Sequence, residues 1–594
     1  MRIKRKAEEK KMSMSKNVAR LAVTAGLTAA LSFGGVMAPV TMAFAEGTTA
    51  PDNSIIITQS ENNGDTEFKA YQIFKADVVD PTEAGMTDKI VSNVKWADGV
   101  GADAQKAIIA AINDFKSNAL KDDANAEDVA NWLTENVKDL TKTTRVDKDN
   151  VLNKIAKVVK DKVTPTGNSF KAGAVFEPKN ADNTPNTGYF LFLTDDAGIG
   201  QLTENKKNTG TSPIFAVVGD SGVTVAEKTS IPTVEKKIKD DKPGSKWEDK
   251  ADSQMGQDVH YQLTGTVADN VATFETYYYE FHDELSAGLT ANVGTVEVKI
   301  GDKALLRNST EGDKTGYDVS IDGATNTLTV KFTDLKAAAE QAGATLNGSS
   351  NVVVTYTAML DPVKAANVTV GDTGNDNTVK LIYSNNPMSN GTGESVPDTV
   401  RDYTYALKLV KEDAANDAIK LDGVKFTIQA TNPDENEEGA PAGTMYVQEN
   451  GTLSKTKCEF ETKNGGVIDV KGLDAGTYTV HEVEGSNPGY NTLDDFTFTI
   501  TAEGLGELEG ATFAGNTDPN TLKVTAEKDG STLVTQSVDG GTVTLVVQNK
   551  KGSGLPLTGL NGVTFTWIAG GAVLCIGVAH LIRSRKQAEE SEQE

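Results

Sequence analysis

The last forty or so residues of the chain combine a short peptide, a membrane-length segment and a basic end. The peptide is Leu555-Pro556-Leu557-Thr558-Gly559, an apolar run extends from Val563 to Ile582, and Arg583-Ser584-Arg585-Lys586 follows it. About twenty apolar residues are enough for a helix to cross a bilayer, and the basic residues favour a cytoplasmic C-terminus. This order predicts that export stops here and that one peptide bond is presented to an enzyme outside the membrane. A plain C-terminal anchor with an accidental pentapeptide is the alternative.

The tail resembles the cell-wall sorting signal of Gram-positive surface proteins, which is Leu-Pro-x-Thr-Gly, a hydrophobic segment and a charged tail. The resemblance implies that a sortase cuts between Thr558 and Gly559 and transfers the Thr558 carbonyl to an amine. The N-terminus agrees, because a basic stretch and an apolar stretch precede Ala43-Phe44-Ala45, a small-x-small signal peptidase site. We therefore expect a signal peptide over residues 1–45 and a secreted chain that is finally anchored to peptidoglycan.

Composition excludes several classes of function. The net charge of −26 argues against nucleic acid as a partner, because binding phosphates takes a cationic surface. Only two cysteines occur, and one lies in the apolar tail, so Cys458 alone remains outside the membrane and no internal disulfide can form. The four histidines are scattered without metal-ligand spacing, so we expect no metal, no cofactor and no histidine-based hydrolase.

A lysine and an asparagine are placed where both could point into one core. Strand alternation puts Lys236 on the face of Val234 and Ile238, and it puts Asn385 on the face of Leu381 and Tyr383. Burial of an isolated ammonium group costs free energy, so an inward lysine indicates a specific role for this residue. The alternative is a register shifted by one residue, with Lys237 inward or with both lysines in solvent.

Three motifs carry a second resemblance, at residues 232–236, 281–289 and 383–387. They are similar to the isopeptide-forming D2-type domain of Gram-positive fimbrial shaft proteins, which joins a lysine amine to an asparagine side chain with the help of a buried acid. The resemblance implies that Lys236 is the nucleophile, Asn385 the acceptor and Asp283 the assisting acid. Asn386 and Glu284 are the adjacent rivals for the last two roles.

A later region repeats this logic with different residues. Its motifs lie at residues 411–413, 421–426, 476–482 and 488–490, and they resemble the collagen-adhesin B-type fold, a small inverse immunoglobulin-like sandwich. The stretch after Glu482 departs from the usual Glu-Thr-x-Ala-Pro of that family. Lys411, Asn549 and Glu482 form the second implied set, with Glu482 as the assisting acid. Whether the first domain holds a third bond stays open, because no lysine there lies in a comparable motif.

The expected reaction is a single-turnover self-reaction rather than enzyme catalysis. Burial favours the neutral amine and the neutral carboxylic acid, so the lysine becomes nucleophilic and the acid can donate to the amide oxygen. Folding supplies the high effective concentration of the two groups. The bond would constrain the unfolded chain as a disulfide does, without sensitivity to redox conditions.

Lys228 is the candidate for linking one subunit to the next. Residues 223–228 resemble the shaft-pilin motif Val-x-Val-Tyr-Pro-Lys, with Ala226-Glu227 where Tyr-Pro is usual. In that family this lysine attacks the sortase-bound threonine of another subunit. The alternative is that Lys228 is an ordinary solvated lysine of a linker.

Strands must position all of these residues, because the period of the mature chain is mostly two. One stretch, from Ala102 to Val159, has apolar residues at helical spacing and predicts a helical insertion. The expected fold is mainly β: tandem immunoglobulin-like sandwiches with an N-terminal signal and a C-terminal membrane helix. The expected segments are 1–45 (signal), 46–228 (β-rich with helices), 229–400 (D2-type), 401–551 (collagen-adhesin B-type) and 552–594 (sorting signal, membrane helix and basic tail).

Together these features predict a major pilin of a Gram-positive bacterium. Its partners would be sortase, identical subunits in a covalent polymer, and peptidoglycan at the base of the fibre, with host surface or matrix proteins as further candidates. A monomeric wall-anchored adhesin that binds a host matrix protein is the alternative. A surface hydrolase is a third hypothesis, which the sequence does not favour because it shows no convergent acid and base groups outside the crosslinking sets.

Overall fold

The computed structural model describes residues 49–60, 63–82, 88–137, 145–200, 207–240, 244–431, 445–508 and 522–552. The expected signal peptide, the sorting peptide at residues 555–559 and the apolar run at residues 563–582 lie outside these ranges. Within them, no helix is long and apolar enough to cross a membrane. The described chain is built mostly of strands, which form three successive units.

The first unit combines two small sheets with three helices. Its elements are β1 (Ile55–Thr58), β2 (Glu67–Val79), β3 (Ile90–Trp96), α1 (Ala102–Phe115), α2 (Ala126–Asn136), α3 (Val151–Lys162), β4 (Phe170–Lys171), β5 (Val175–Phe176), β6 (Gly188–Thr194), β7 (Ile214–Val218) and β8 (Val223–Ala226). The predicted helical insertion is confirmed, and its buried faces pack on the sheet ordered β3-β2-β6-β7. A capping box between Asn125 and Asp128 defines the start of α2. The last strand, β8, runs parallel to β1 and leads directly to Lys228.

The second unit is a sandwich of two sheets. Its elements are β9 (Val234–Lys239), β10 (Trp247–Glu248), β11 (Lys250–Asp252), β12 (Val259–Thr266), β13 (Tyr279–Leu285), β14 (Leu289–Ile300), β15 (Lys303–Ala304), β16 (Asp318–Asp322), β17 (Thr327–Phe332), α4 (Leu335–Gln341), β18 (Asn351–Leu360), β19 (Asn375–Ser384), β20 (Thr392–Glu394) and β21 (Asp398–Tyr403). One sheet is ordered β10-β9-β12-β18-β14-β15, and the other β11-β21-β19-β13-β17-β16. Alternate side chains of both sheets fill one apolar core between them.

The third unit is a smaller sandwich. Its elements are β22 (Tyr405–Asp413), β23 (Asn416–Lys420), β24 (Lys425–Thr431), β25 (Met445–Val447), β26 (Leu453–Ser454), β27 (Phe460–Glu461), β28 (Val467–Leu473), β29 (Gly476–Glu482), β30 (Phe496–Glu503), β31 (Lys523–Asp529), β32 (Val534–Asp539) and β33 (Thr542–Asn549). The first and last strands, β22 and β33, pair in parallel at the centre of one sheet. The second sheet, ordered β26-β25-β24-β29-β30-β31, covers the other side of the core.

Candidate crosslinking sites

The Lys236 side chain lies at the centre of the second unit. It projects from β9 into the core, and both it and Asp283 of β13 are 0% exposed. The Lys236 ammonium group is paired with the Asp283 carboxylate and lies 3.1 Å from the hydroxyl of Tyr356 on β18. The same hydroxyl donates to Asp283 Oδ2 at 2.6 Å. Strand alternation therefore turns Lys236 inward, as the sequence predicts, and Glu284, the rival acid, is exposed.

Asn377 is the asparagine that joins this cluster. Its Nδ2 donates to the Tyr356 hydroxyl at 2.8 Å, so one hydroxyl contacts the lysine, the acid and the amide. Asn377 is fully buried, and its Oδ1 has no hydrogen-bond partner among the described residues. A buried amide oxygen without a partner is costly, because it has lost its water and gained nothing. Such an oxygen is free to accept a proton or a hydrogen bond during attack on the amide.

The structure does not bring Asn385 to Lys236. Asn385 has the same phase as Asn377 along β19 but comes eight residues later, about 26 Å further at 3.3 Å per residue. There its backbone carbonyl accepts from Gly210 N at 2.6 Å and from Thr209 Oγ1 at 2.7 Å, both in the first unit. The rival Asn386 also contacts the first unit, donating to Asp196 Oδ1 at 2.6 Å. These two asparagines form part of the joint between the first and second units.

Lys237, the alternative inward lysine, points away from the core on the opposite face of β9. Its ammonium group is 2.8 Å from Asp249 Oδ1 and 2.7 Å from Glu507 Oε2 of the third unit. These ion pairs raise the pKa of Lys237 above its ordinary value, since they outweigh its partial burial. Lys237 therefore stays charged and contributes to the joint between the second and third units.

In the third unit the structure brings all three predicted residues together. Lys411 on β22 contacts the Asn549 Oδ1 atom of β33, and these two strands are parallel neighbours. Glu482, at the end of β29 in the opposite sheet, accepts from Asn549 Nδ2 at 2.5 Å and lies 3.7 Å from the lysine Nζ. All three side chains are almost fully buried. The lysine thus contacts the oxygen of the Asn549 side-chain amide, and the acid contacts its nitrogen.

Burial changes the proton affinity of both lysines. Loss of solvation lowers the pKa of Lys236 to about 8, although Asp283 partly opposes the shift. Loss of solvation likewise lowers the pKa of Lys411 to about 8, against the effect of Glu482. Burial also raises the pKa of Tyr356 well above its ordinary value, so its hydroxyl remains a donor. Both sites therefore favour the neutral form of the lysine amine more than solvent does.

The arrangement can perform nucleophilic substitution at a side-chain amide. A neutral lysine amine needs a carbonyl carbon, a proton acceptor and a donor to the developing oxyanion, and each cluster supplies an amide and a carboxyl group. Among the described residues, no three His, Cys, Asp or Glu side chains are grouped so as to hold a metal ion.

Lys228 lies between the first and second units. It follows β8 directly, and its backbone N–H donates to Thr211 Oγ1 at 2.7 Å. Its side chain is in a pocket rather than in solvent: the residue is 7% exposed, and burial with a smaller effect of Arg145 lowers its pKa to about 7. Glu227, at the position where proline is usual, is buried and accepts from Ser60 N at 2.8 Å. The ordinary solvated linker lysine that was the alternative does not describe this environment.

Two residues of the second-unit cluster were missed from the sequence, Asn377 and Tyr356. Asn377 has the phase of Val379 and Leu381, so alternation alone could have named it as a second inward asparagine. Tyr356 gave no such signal, because an inward tyrosine in a strand resembles any other core aromatic residue.

The third unit also has a relative among known protein families. Residues 406–512 match the family described as SpaA: Prealbumin-like fold domain. The match includes Lys411 and Glu482 and ends before Asn549. It agrees with the small sandwich predicted for this region. No curated protein shows significant sequence similarity to the chain.

Solved structures with a similar fold include major or backbone pilins of Gram-positive bacteria. A backbone pilin of Streptococcus pyogenes has a TM-score of 0.48 and 15% identity, covering 85% of this chain and 100% of that one. The major pilin SpaD of Corynebacterium diphtheriae has a TM-score of 0.42 and 16% identity, covering 85% of this chain and 98% of that one. The major pilin RrgB of Streptococcus pneumoniae has a TM-score of 0.37 and 15% identity, covering 66% and 88%.

Proposed function

We propose that the chain is a structural pilin subunit, polymerised covalently on the surface of a Gram-positive cell and strengthened by two internal Lys–Asn isopeptide bonds. The observation that carries the proposal is the presence of a buried lysine, acid and asparagine in each of two consecutive sandwiches. A buried lysine without such a purpose would cost free energy that an apolar residue would not. Two such clusters in one chain argue for selection of the crosslink itself.

In the second unit the proposed bond joins Lys236 to Asn377. The Lys236 amine gives a proton to Asp283 and attacks the Asn377 side-chain carbonyl carbon. The new C–N bond forms as the bond to the amide nitrogen breaks, and ammonia leaves. The Tyr356 hydroxyl, 2.8 Å from the Asn377 nitrogen, is placed to pass a proton from Asp283 to the leaving group. Asn377 replaces Asn385 as the proposed acceptor.

In the third unit the proposed bond joins Lys411 to Asn549. Glu482 receives one proton from the lysine amine and, at 2.5 Å from the amide nitrogen, can pass it to that nitrogen, which then leaves as ammonia. The bond would close the first strand of the unit onto the last one. Since β22 and β33 are already parallel neighbours, the reaction needs no rearrangement of the backbone.

The proposed link between subunits joins Thr558 of one chain to Lys228 of the next, with a sortase as the enzyme. The resemblance of residues 223–228 to the shaft-pilin motif, and the position of Lys228 just after the last strand of the first unit, support this role. The side chain must swing out of its pocket to meet an enzyme-bound threonine. The subunit at the base of the fibre would pass its threonine to peptidoglycan instead.

Coexpression with the cognate pilus sortase tests the intersubunit link. Wild type should give a ladder of high-mass species on denaturing gels, and Lys228→Ala should give none. Lys239→Ala, which changes a lysine of the neighbouring strand β9, is the matched control and should retain the ladder. A ladder from Lys228→Ala would show that another lysine links the subunits. Wall-attached monomers from wild type would favour the monomeric adhesin instead.

A further inference from the structure

The end of the third unit is held by a loop that no proposed reaction uses. After β33, the backbone of residues 550–552 pairs with residues 489–491: Asn491 N donates to Lys550 O at 2.9 Å, and Gly552 N donates to Gly489 O at 3.0 Å. Gly489 has a φ of +87°, a conformation that favours glycine and turns the loop toward the tail. The chain is therefore hydrogen-bonded to the third unit as far as Gly552.

Side chains reinforce this backbone pairing. The Tyr490 hydroxyl donates to Asp413 Oδ2 at 2.8 Å, and Lys551 Nζ lies 3.4 Å from the same oxygen. The lysine also lies over the Tyr490 ring, 5.8 Å from its centroid. We call the group formed by Asp413, residues 489–491 and residues 550–552 the tail clamp.

The tail clamp is continuous with the crosslinking site. Asp413 ends β22 and pairs with Asn549 across the parallel ladder, and Ala414 N donates to the Asn549 carbonyl at 2.9 Å. Asn549 is the proposed crosslink acceptor, so three anchors follow each other within four residues: the crosslink at Asn549, the bridge at Lys551 and the hydrogen bond at Gly552. The point from which the tail departs is therefore tied to the third unit.

Chain length then limits how far the sorting peptide can lie from the third unit. Six residues, 553–558, separate Gly552 from the scissile carbonyl, and a fully extended chain of that length spans about 20 Å. The enzyme must enclose the peptide from Leu555, which leaves only Ser553 and Gly554 as a spacer of about 7 Å. An enzyme that holds the peptide must then touch the end of the third unit.

We propose that the tail clamp is a positioning device for the transpeptidase: it keeps Thr558 within about 20 Å of the third unit, so that the enzyme binds the end of this unit together with the peptide. This inference rests on the proposed cleavage after Thr558. Tyr490 is the central positioning residue, because it contributes both the hydrogen bond to Asp413 and the ring beneath Lys551. Releasing residues 550–552 lengthens the tether from six residues to nine, which lowers the effective concentration of the peptide about twofold.

Steady-state kinetics of sortase test the inference, with the exported chain (residues 46–594, in detergent) as the substrate. Hydroxylamine serves as the acceptor amine, so Lys228 takes no part in the measured reaction. Tyr490→Ala removes the side-chain contacts of the tail clamp but not its backbone hydrogen bonds, so it should raise KM by up to about twofold with kcat unchanged. A six-residue Gly/Ser insertion after Gly554 should raise KM about threefold. The insertion leaves the fold untouched. Tyr446→Ala, in β25 of the same unit, is the matched control and should leave both constants unchanged.

The inference requires both rises in KM. If KM is unchanged or falls in either variant, the enzyme reads the pentapeptide alone and the tail clamp has no positioning role. A fall in kcat for Tyr490→Ala without a change in KM would also overturn it, since the defect would then not lie in binding. A wild-type chain that is not cut between Thr558 and Gly559 would instead overturn the proposed function, which keeps the two failures distinct.

Discussion

Replacement of Asn377 by alanine tests which asparagine is the acceptor of the crosslink in the second unit: Asn377, which the structure indicates, or Asn385, which the sequence indicates. Asn377 lies in β19, Asn385 follows the last residue of this strand in the same phase, and both are almost fully buried. Only Asn377 is joined through Tyr356 to Lys236, whereas the Asn385 carbonyl binds the first unit. Asn377→Ala should therefore abolish the bond in the second unit, and Asn385→Ala should leave it intact.

The size of the stability effect follows from the loop that the bond closes. Lys236 and Asn377 enclose about 140 residues, for which the chain-entropy relation gives about 5 kcal/mol of stabilisation. For a domain of this size each kcal/mol shifts the melting temperature by about 2–4 °C, so Asn377→Ala should lower that of the second unit by about 10–20 °C. The matched Asn385→Ala variant loses contacts at the joint but no covalent bond, so its shift should be much smaller.

Intact-mass spectrometry of the exported region gives the direct readout. Wild type should be lighter than its calculated mass by two ammonia molecules, Asn377→Ala by one, and Asn385→Ala by two. Proteolysis of wild type should also yield a branched peptide that contains Lys236 and Asn377. The reasoning is refuted if Asn377→Ala still lacks two ammonia molecules, or if Asn385→Ala lacks only one.

Two further predictions concern the acids and the pH. Asp283→Ala and Glu482→Ala should each restore one ammonia to the intact mass while the chain still folds; alanine is chosen because an amide there could itself be attacked. In Asn377→Ala the amine of Lys236 stays free, with its pKa lowered to about 8 by burial in the folded state. The unfolded chain then binds more protons between pH 8 and about 10.4, so the stability of this variant should rise by roughly 3 kcal/mol over that window. Urea titrations at pH 7.5 and 10 should show the rise in the variant and not in crosslinked wild type; an equal rise in both would contradict a free buried amine.

Local patterns were sufficient to predict the fold class, and the resemblance to the collagen-adhesin B-type fold supplied one complete cluster. Alternation along β9 placed Lys236 inward, and the helical spacing from residue 102 onward gave the insertion of the first unit. In the third unit, Lys411 and Asn549 belong to the first and last strands, whose motifs lie at the ends of the unit. The first two inferences depend on the period of the chain around a single residue, which a sequence displays directly, whereas the third depends on motifs shared with a known family.

The sequence by itself determined which residues face the core, and the tertiary structure decided which of them meet. Asn377 and Asn385 are equivalent by phase, because a strand repeats every two residues; only the stacking of β19 against β9 and β18 fixes which one lies level with Lys236. The pairing of residues 489–491 with the tail is likewise a long-range contact without local signature. The alternation of inward and outward side chains is set by the backbone of one strand. Which inward side chains contact each other depends on how separate strands pack, and the whole core decides that packing.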